Sequence, residues 1–339
     1  MQLGFLGFLG RQFTKQAPVV KTDLTGQTVL VLGANTGIGF EATKHFASMN
    51  PQRLILACRS QSRGQAAIDK LKAHTGYSKA ELWLVDLANF DSVKQFADKF
   101  EREGGRLDIL VENAAIAADH YEGTKDGWEI SLQVNDLSTP FVALLLLPAM
   151  IRTAEQYSTF PRLVIVASEV HYWVKIEKQV YENPDILKTL GSSEYCTNKV
   201  MQSRYMLTKL LTVFFVRALN ARLPPSTAVI IDMVNPGFCH SELMRDAKGV
   251  AGFMFWLFKR IVAFTAEEGS RQLVYAAVGG QPDKLRGEYI TGGHVEEVAD
   301  FVLSPEGVKI QNQLWDEVVD ILAKVDPRVT SIVDKHLSA

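Results

Sequence analysis

Short runs that are apolar at nearly every position alternate along this chain with longer stretches whose apolar residues recur at helical spacing. The first kind predicts strands buried on both faces: QTVLVLG (27–33), RLILACR (53–59), AELWLVDL (80–87), LDILVEN (107–113), RLVIVAS (162–168), STAVIIDMVNPG (226–237) and a short GEYI (287–290). The second kind predicts helices over 37–48, 65–74 and 92–104, a long one ending near Arg152, then 196–220 and 267–278. A C-terminal helix, about 305–325, opens with Pro305 in its first turn. Strands of this kind, joined through helices, need right-handed crossovers in a parallel sheet. The expectation is a doubly wound parallel sheet, a three-layer α/β/α Rossmann fold in one domain with a C-terminal helix. Ligands of such sheets bind beyond the carboxyl ends of the strands.

Composition narrows the classes. The 339 residues are 47% hydrophobic and 22% charged, ordinary for a globular protein. A net charge of −2 supplies no basic field, which argues against nucleic acid as partner. Three cysteines, Cys58, Cys196 and Cys239, have neither the number nor the spacing of a disulfide framework or zinc site; no metal is expected, and reduced thiols fit a cytoplasmic setting. No repeat or linker interrupts the pattern, so residues 1–22 form an N-terminal extension and 23–339 one catalytic domain. The apolar runs MQLGFLGFLG and VALLLLPAMI (142–151) are too short to span a bilayer, so no transmembrane segment is expected.

The first predicted strand runs through Gly33-Ala34-Asn35-Thr36-Gly37-Ile38-Gly39 straight into a helix. Glycines there permit a tight turn and close backbone approach, and the helix N-terminus offers N–H groups to a pyrophosphate. Strand two ends in Arg59-Ser60, where an NAD site usually has an acidic residue for the ribose 2′-hydroxyl. A guanidinium instead suits a 2′-phosphate, so NADP(H) is favoured over a merely solvated Arg59. Asp86-Leu87 ends strand three, with Asp86 placed either to accept from the adenine amine or to cap the next helix.

Tyr-x-x-x-Lys sets a phenol and an ammonium on one helix face, where the cation favours phenolate and suits the tyrosine to proton transfer. The spacing occurs at Tyr121/Lys125, Tyr195/Lys199 and Tyr205/Lys209. The first is broken by Gly123 and Gly127. On one continuous 196–220 helix, Tyr205 would lie about 15 Å beyond Tyr195 and be turned by about 80°. Tyr195/Lys199 is therefore the expected acid–base pair, with Ser168, at the end of strand five, holding substrate oxygen or serving as a turn residue. Asn135 is placed either to hold a water that relays protons to Lys199 or as a satisfied core amide.

Together NTGIG (35–39), VDL (85–87), ENAA (112–115), VN (134–135), VAS (166–168), YCTNK (195–199) and NPG (235–237) resemble the short-chain dehydrogenase/reductase family from about Asp23 to Tyr289. The resemblance implies a catalytic set of Asn135, Ser168, Tyr195 and Lys199. It also implies nicotinamide-side contacts from Asn113, Ala114, Pro236, Gly237 and Ser241, and ribose contacts from Tyr195 and Lys199. ACRS (57–60), TKDGWEISLQVN and the long Ser168-to-Tyr195 interval are similar to the retinol-dehydrogenase-like branch, fungal members especially. Such relatives act on lipophilic alcohols or ketones, including secondary-metabolite intermediates. Departures from the family pattern are Leu32, Glu112, Ala115, Asn198 and Ser241.

The aromatic-rich 169–194 segment and AGFMFWLFKRIVAF (251–264) exceed what the fold needs. They are expected to cover an apolar pocket, with a lid at about 240–265. A helix packed on the core or at a homodimer interface, and peripheral membrane contact with Lys259 and Arg260 at the headgroups, are the alternatives for that lid. His171 is placed to reach substrate oxygen or to serve as a hydrogen-bonded structural residue. The rival to an NADP(H)-dependent oxidoreductase on a lipophilic alcohol or carbonyl is a non-catalytic NADP(H)-sensing or scaffold protein. An epimerase or dehydratase would need a larger C-terminal substrate domain.

Overall fold

The computed structural model describes residues 2–103, 105–240 and 258–338. Eight strands, β1 (Thr28–Leu32), β2 (Arg53–Cys58), β3 (Ala80–Leu84), β4 (Ile109–Glu112), β5 (Arg162–Val166), β6 (Ile230–Asn235), β7 (Tyr289–Thr291) and β8 (His294–Glu296), form one sheet. Its order is β3-β2-β1-β4-β5-β6-β7-β8, parallel as far as β7. The direction of winding reverses between β1 and β4, so the crevice above their ends is the place a doubly wound sheet offers a ligand. All seven expected strands are present. β8 was not foreseen: Gly292 and Gly293, at φ +58° and +78°, turn the chain back to pair β8 antiparallel with β7.

Alternate strand residues feed two cores, as a sheet covered on both faces requires. Leu30, Ile55, Leu110, Leu163 and Ile231 pack under the helices Phe90–Arg102, Ile130–Tyr157, Arg204–Arg222 and Pro305–Val325. Val29, Leu54, Val111, Val164 and Ile230 pack under Gly37–Ala47, Gln61–Thr75 and Ala266–Val278. The C-terminal helix starts at Pro305 as expected; the Ser304 hydroxyl accepts the Gly307 N–H at 3.0 Å, and Trp315 stacks on Phe215.

The helix Ile130–Tyr157 is long and apolar enough to cross a membrane, but 89% of its apolar window is buried inside the molecule. It contains VALLLLPAMI, which covers one face of the sheet. Residues 133–138 widen into π-helical turns, a rare irregularity that tends to mark functional positions. The widened turns carry Asn135 and Asp136.

The expected helix 196–220 is two helices, Asn198–Met201 and Arg204–Arg222, separated by a turn at Gln202 and Ser203. Tyr195 lies in the turn before the first, and Thr197 caps that helix by accepting the Val200 N–H. Arg204 holds the break. Its fully buried guanidinium donates to the Leu190 carbonyl and the Cys196 sulfur and faces the Glu129 carboxylate at 3.4 Å.

Candidate active site

The turn after β1 shapes a cradle. Gly33 has φ +74°, and a Cβ there would stand 2.9 Å from the Ala114 Cα. A Cβ on Gly39 would strike the Asn113 amide and the Gly33 carbonyl at 2.4 Å. Asn113 braces this contact, donating to the Gly33 carbonyl at 3.1 Å, so Asn113 and Ala114 do lie against the glycine loop. Gly37, at φ +59°, faces open space. The helix it begins has Thr36 at its cap with no side-chain hydrogen bond to the first amides. Asn35, Gly37 and Ile38 are partly exposed around it. These features fit a dinucleotide's phosphates.

Arg59 is exposed just past β2, and Ser60 caps the next helix by accepting the Arg63 N–H. Asp86 is partly exposed past β3, and its Oδ1 accepts the Ala88 N–H at 3.0 Å. The helix cap there is Asn89 instead. Leu87 is buried beside it. At the end of β4 both carboxylate oxygens of Glu112 are buried without a hydrogen-bond partner, and burial pushes its pKa well above the usual range. Burial therefore favours the neutral carboxyl over the carboxylate.

Above β5, Ser168 is partly exposed and begins a 3₁₀ turn, Glu169–Trp173. Its carbonyl lies 2.7 Å from His171 Nδ1, while His171 Nε2 lies 3.3 Å from the Ala299 N–H. An amide can only donate, so Nε2 accepts and Nδ1 carries the proton. Both nitrogens are thus engaged: His171 is the structural residue, fixing the Ser168 backbone. Asn135 is the satisfied amide of the two alternatives. It accepts from the Ile116 N–H and donates to the Ile116 carbonyl at 2.9 Å and the Thr208 hydroxyl at 3.1 Å.

The Tyr195/Lys199 expectation meets a different geometry. Its premise was a single helical face, but Tyr195 is in a turn and Lys199 is exposed on a separate short helix. Burial and the Glu177 charge raise the Tyr195 phenol, contrary to the lowering expected from a lysine neighbour. Tyr205 and Lys209 instead share one face of Arg204–Arg222, starting at its first turn. The Lys209 ammonium donates to the Val166 carbonyl at 2.6 Å, two residues before Ser168, and lies 5.7 Å from the Tyr205 ring centroid. Burial draws its pKa down to about 8 against the opposing pull of Asp136. Tyr205 is half-buried, and burial followed by the nearby Cys239 thiol raises its phenol. Cys239 belongs to the turn after β6, which Pro236 and Gly237 (φ +78°) begin. Tyr205 therefore opens the helix that Lys209 ties to the end of β5, and it interacts with Cys239 in the turn after β6.

Two signals in the sequence could have shown this. Ser203 directly precedes a run with apolar spacing at Leu207, Leu210, Leu211 and Phe214, whereas Thr197, a helix-starting residue, falls inside the 195–199 interval. Ser241 and residues 253–257 of the expected lid lie outside the described residues. Phe258 is described, with its ring 5.8 Å from that of Phe238. Among the described residues no cluster could hold a metal ion, and all three cysteines are free and buried.

Comparison with known proteins gives this geometry a lineage. Residues 27–177 match the family model "short chain dehydrogenase". The chain is 36% identical to the short chain dehydrogenase/reductase dmxR8 of Cryptosporiopsis sp. over 96% of its length and 99% of that protein's. It is 36% identical to the short-chain dehydrogenase anuD of Penicillium roqueforti, over 96% and 84%. Among solved structures, a putative uncharacterised protein from Mycobacterium paratuberculosis superposes with TM-score 0.64 at 23% identity, covering 90% of this chain and 98% of that one. A short-chain dehydrogenase from Sphingobium yanoikuyae in complex with NADPH does so with TM-score 0.50 at 22% identity, over 72% and 81%. These structural likenesses show the fold, and near full-length identity to the curated relatives shows more: the chain belongs to the short-chain dehydrogenase/reductase family, oxidoreductases of CH–OH and carbonyl groups.

Proposed function

We propose that the protein is an NADP(H)-dependent reductase or dehydrogenase interconverting an alcohol and a ketone or aldehyde on a lipophilic small molecule, with Tyr205 as the proton-transferring residue. The placement of Tyr205 and Lys209 on one helix face against the end of β5, beside Ser168, carries the assignment.

When bound, the nicotinamide would supply or accept the hydride. Gly33, Gly37, Ile38 and Gly39 would hold the phosphates, Arg59 and Ser60 the 2′-phosphate, Asp86 and Leu87 the adenine side. Asn113, Ala114, Pro236 and Gly237 would line the nicotinamide side. The family relative solved with NADPH and the exposed guanidinium after β2 both favour NADP(H). Ser168 holds the substrate oxygen through its hydroxyl, and His171 fixes the backbone that presents it. Tyr205 gives its proton to that oxygen during reduction and takes it back during oxidation. Lys209 supplies the positive charge that offsets the phenolate so formed. Asn135 fixes the segment at Ile116 and tethers the helix through Thr208. A secondary-metabolite intermediate as substrate is favoured by the fungal relatives.

Phenylalanine substitutions discriminate the two tyrosines. Tyr205→Phe should lower kcat on a panel of lipophilic ketones by at least about a thousandfold, the upper part of what a lost general acid costs, while leaving NADPH binding near wild type. Tyr195→Phe should stay within about threefold of wild type, since it has no proton to deliver at this crevice. The opposite pattern returns the role to Tyr195, and two inactive-as-wild-type proteins favour the non-catalytic NADP(H)-binding alternative.

A further inference from the structure

The helix Phe5–Gln12 lies outside the matched segment 27–177 and carries none of the motifs described above. It is nevertheless fastened to both loops that flank Tyr205. Gln12 is 5% exposed, and its carboxamide satisfies both backbone groups of one residue. The Phe238 N–H donates to Oε1 at 3.2 Å, and Nε2 donates to the Phe238 carbonyl at 2.8 Å and the Val262 carbonyl at 3.3 Å. A carboxamide carries side by side the acceptor and the donor that this pairing needs. Phe238 follows Pro236 and Gly237 at the end of β6, and a Cβ on Gly237 would come within 3.2 Å of the Gln12 oxygen.

The other attachment reaches the serine side. Phe8 meets Trp173 edge-on at 5.4 Å and Phe238 at 6.2 Å. The Trp173 indole donates to the Leu3 carbonyl at 2.8 Å, and Trp173 ends the 3₁₀ turn that Ser168 begins. Arg11, on the same face, pairs with Glu296 of β8. One short helix thus bridges the Ser168 turn and the loop after β6.

We propose that Gln12 is a positioning residue for the Pro236–Cys239 loop, and that Phe8, itself buried, backs Trp173 and Phe238 as an aromatic wall of the substrate cleft that favours large apolar, ring-bearing carbonyls. The inference rests on the function proposed above for what the loop faces. Hydrogen bonds that fix a loop lower the ordering cost of binding to it, so losing them weakens binding of whatever the loop contacts.

Gln12→Leu keeps the bulk and removes the three hydrogen bonds. Amide hydrogen exchange across 236–240 should speed up about tenfold or more, with β6 itself unchanged, because local opening no longer breaks those bonds. NADPH dissociation constant, by fluorescence quenching, should rise about fivefold or more. Phe8→Ala should leave NADPH binding unchanged while raising KM for a two-ring ketone, relative to a small aldehyde, about fivefold. Wild-type exchange in Gln12→Leu, or an equal change in KM for large and small substrates in Phe8→Ala, overturns the proposal. If Gln12→Leu fails to fold, Gln12→Glu, which keeps an acceptor for the Phe238 N–H and loses both donors, is measured in the full chain instead: faster exchange at 236–240 supports the proposal, and wild-type exchange overturns it; Phe8→Leu likewise replaces Phe8→Ala. The exchange measurement needs no ligand. Failure of wild type to bind NADPH, with 236–240 exchange still Gln12-dependent, therefore refutes the cofactor assignment and leaves the positioning role standing.

Discussion

His171 and Glu169 are neighbours in one turn with opposite proton preferences. Burial pulls His171 down to about 4, against an ordinary 6.5, with the Ser168 carbonyl opposing, and only the neutral ring can accept the Ala299 N–H at Nε2. The neutral form stabilises the fold above pH 6.5, and that stability is lost as pH falls toward 4, by roughly 3 kcal/mol if the whole shift is realised. Burial raises Glu169 to about 7, from 4.5, with Arg11 opposing. Its protonated form stabilises the fold fully below pH 4.5, and this contribution fades as pH rises through 7. Thermal melts across pH should therefore show Glu169→Gln flattening the decline between pH 5 and 8, and His171→Asn flattening the acid limb. An unchanged acid limb in His171→Asn would rule out the buried neutral imidazole.

Among the elements, the helix Arg204–Arg222 decides the site, and its start depends on a buried ion pair. Glu129 has other partners, accepting the Ser131 and Leu132 N–H groups at 2.8 and 3.0 Å, whereas Arg204 is a fully buried cation whose ion-pair partner is Glu129. Removing one member of such a pair costs most when a charge is left alone. Glu129→Gln should thus destabilise by roughly 3 kcal/mol and lower kcat by displacing Tyr205, while Arg204→Met should cost less than half of that. Urea unfolding of the two variants checks the order, and equal losses would mean that the pair does not hold the break.

This element also shows what could be read in advance. The seven parallel strands, the glycine cradle and the C-terminal helix were legible because each rests on local pattern: unbroken apolar runs, Gly at positive φ, Ser-Pro at a helix start. The break at Gln202 and Ser203 was not. It depends on where Arg204 finds its partners, and those lie at Glu129, Leu190 and Cys196, far apart in sequence or out of helical register. Periodicity ran through the break, and so a spacing argument correct for one helix selected Tyr195 over Tyr205. β8 was missed because three residues carry too little pattern.

Across the whole molecule, nucleotide binding should report as stability. A ligand that binds only the folded chain stabilises it by about 2.7 kcal/mol at a hundred times its dissociation constant, a few degrees in Tm for a domain of this size. NADPH should give that shift at concentrations where NADH gives little, and Arg59→Glu should remove the difference, since the carboxylate repels a 2′-phosphate. Equal shifts from both nucleotides in wild type would end the preference for NADP(H). The long apolar helix Ile130–Tyr157 belongs to this scale too, because composition alone would let it span a bilayer, whereas 89% of its apolar window is buried inside the molecule.

The sequence by itself determined the layers, the parallel sheet and the chemistry available at the strand ends. These follow from apolar periodicity and from residue types that few backbone positions tolerate. Which tyrosine meets the crevice, how His171 and Asn135 are spent, and that residues 5–12 bridge the two loops were decided by tertiary structure. Each depends on partners distant in the chain, whose contacts cost and return free energy only once the sheet has brought them together.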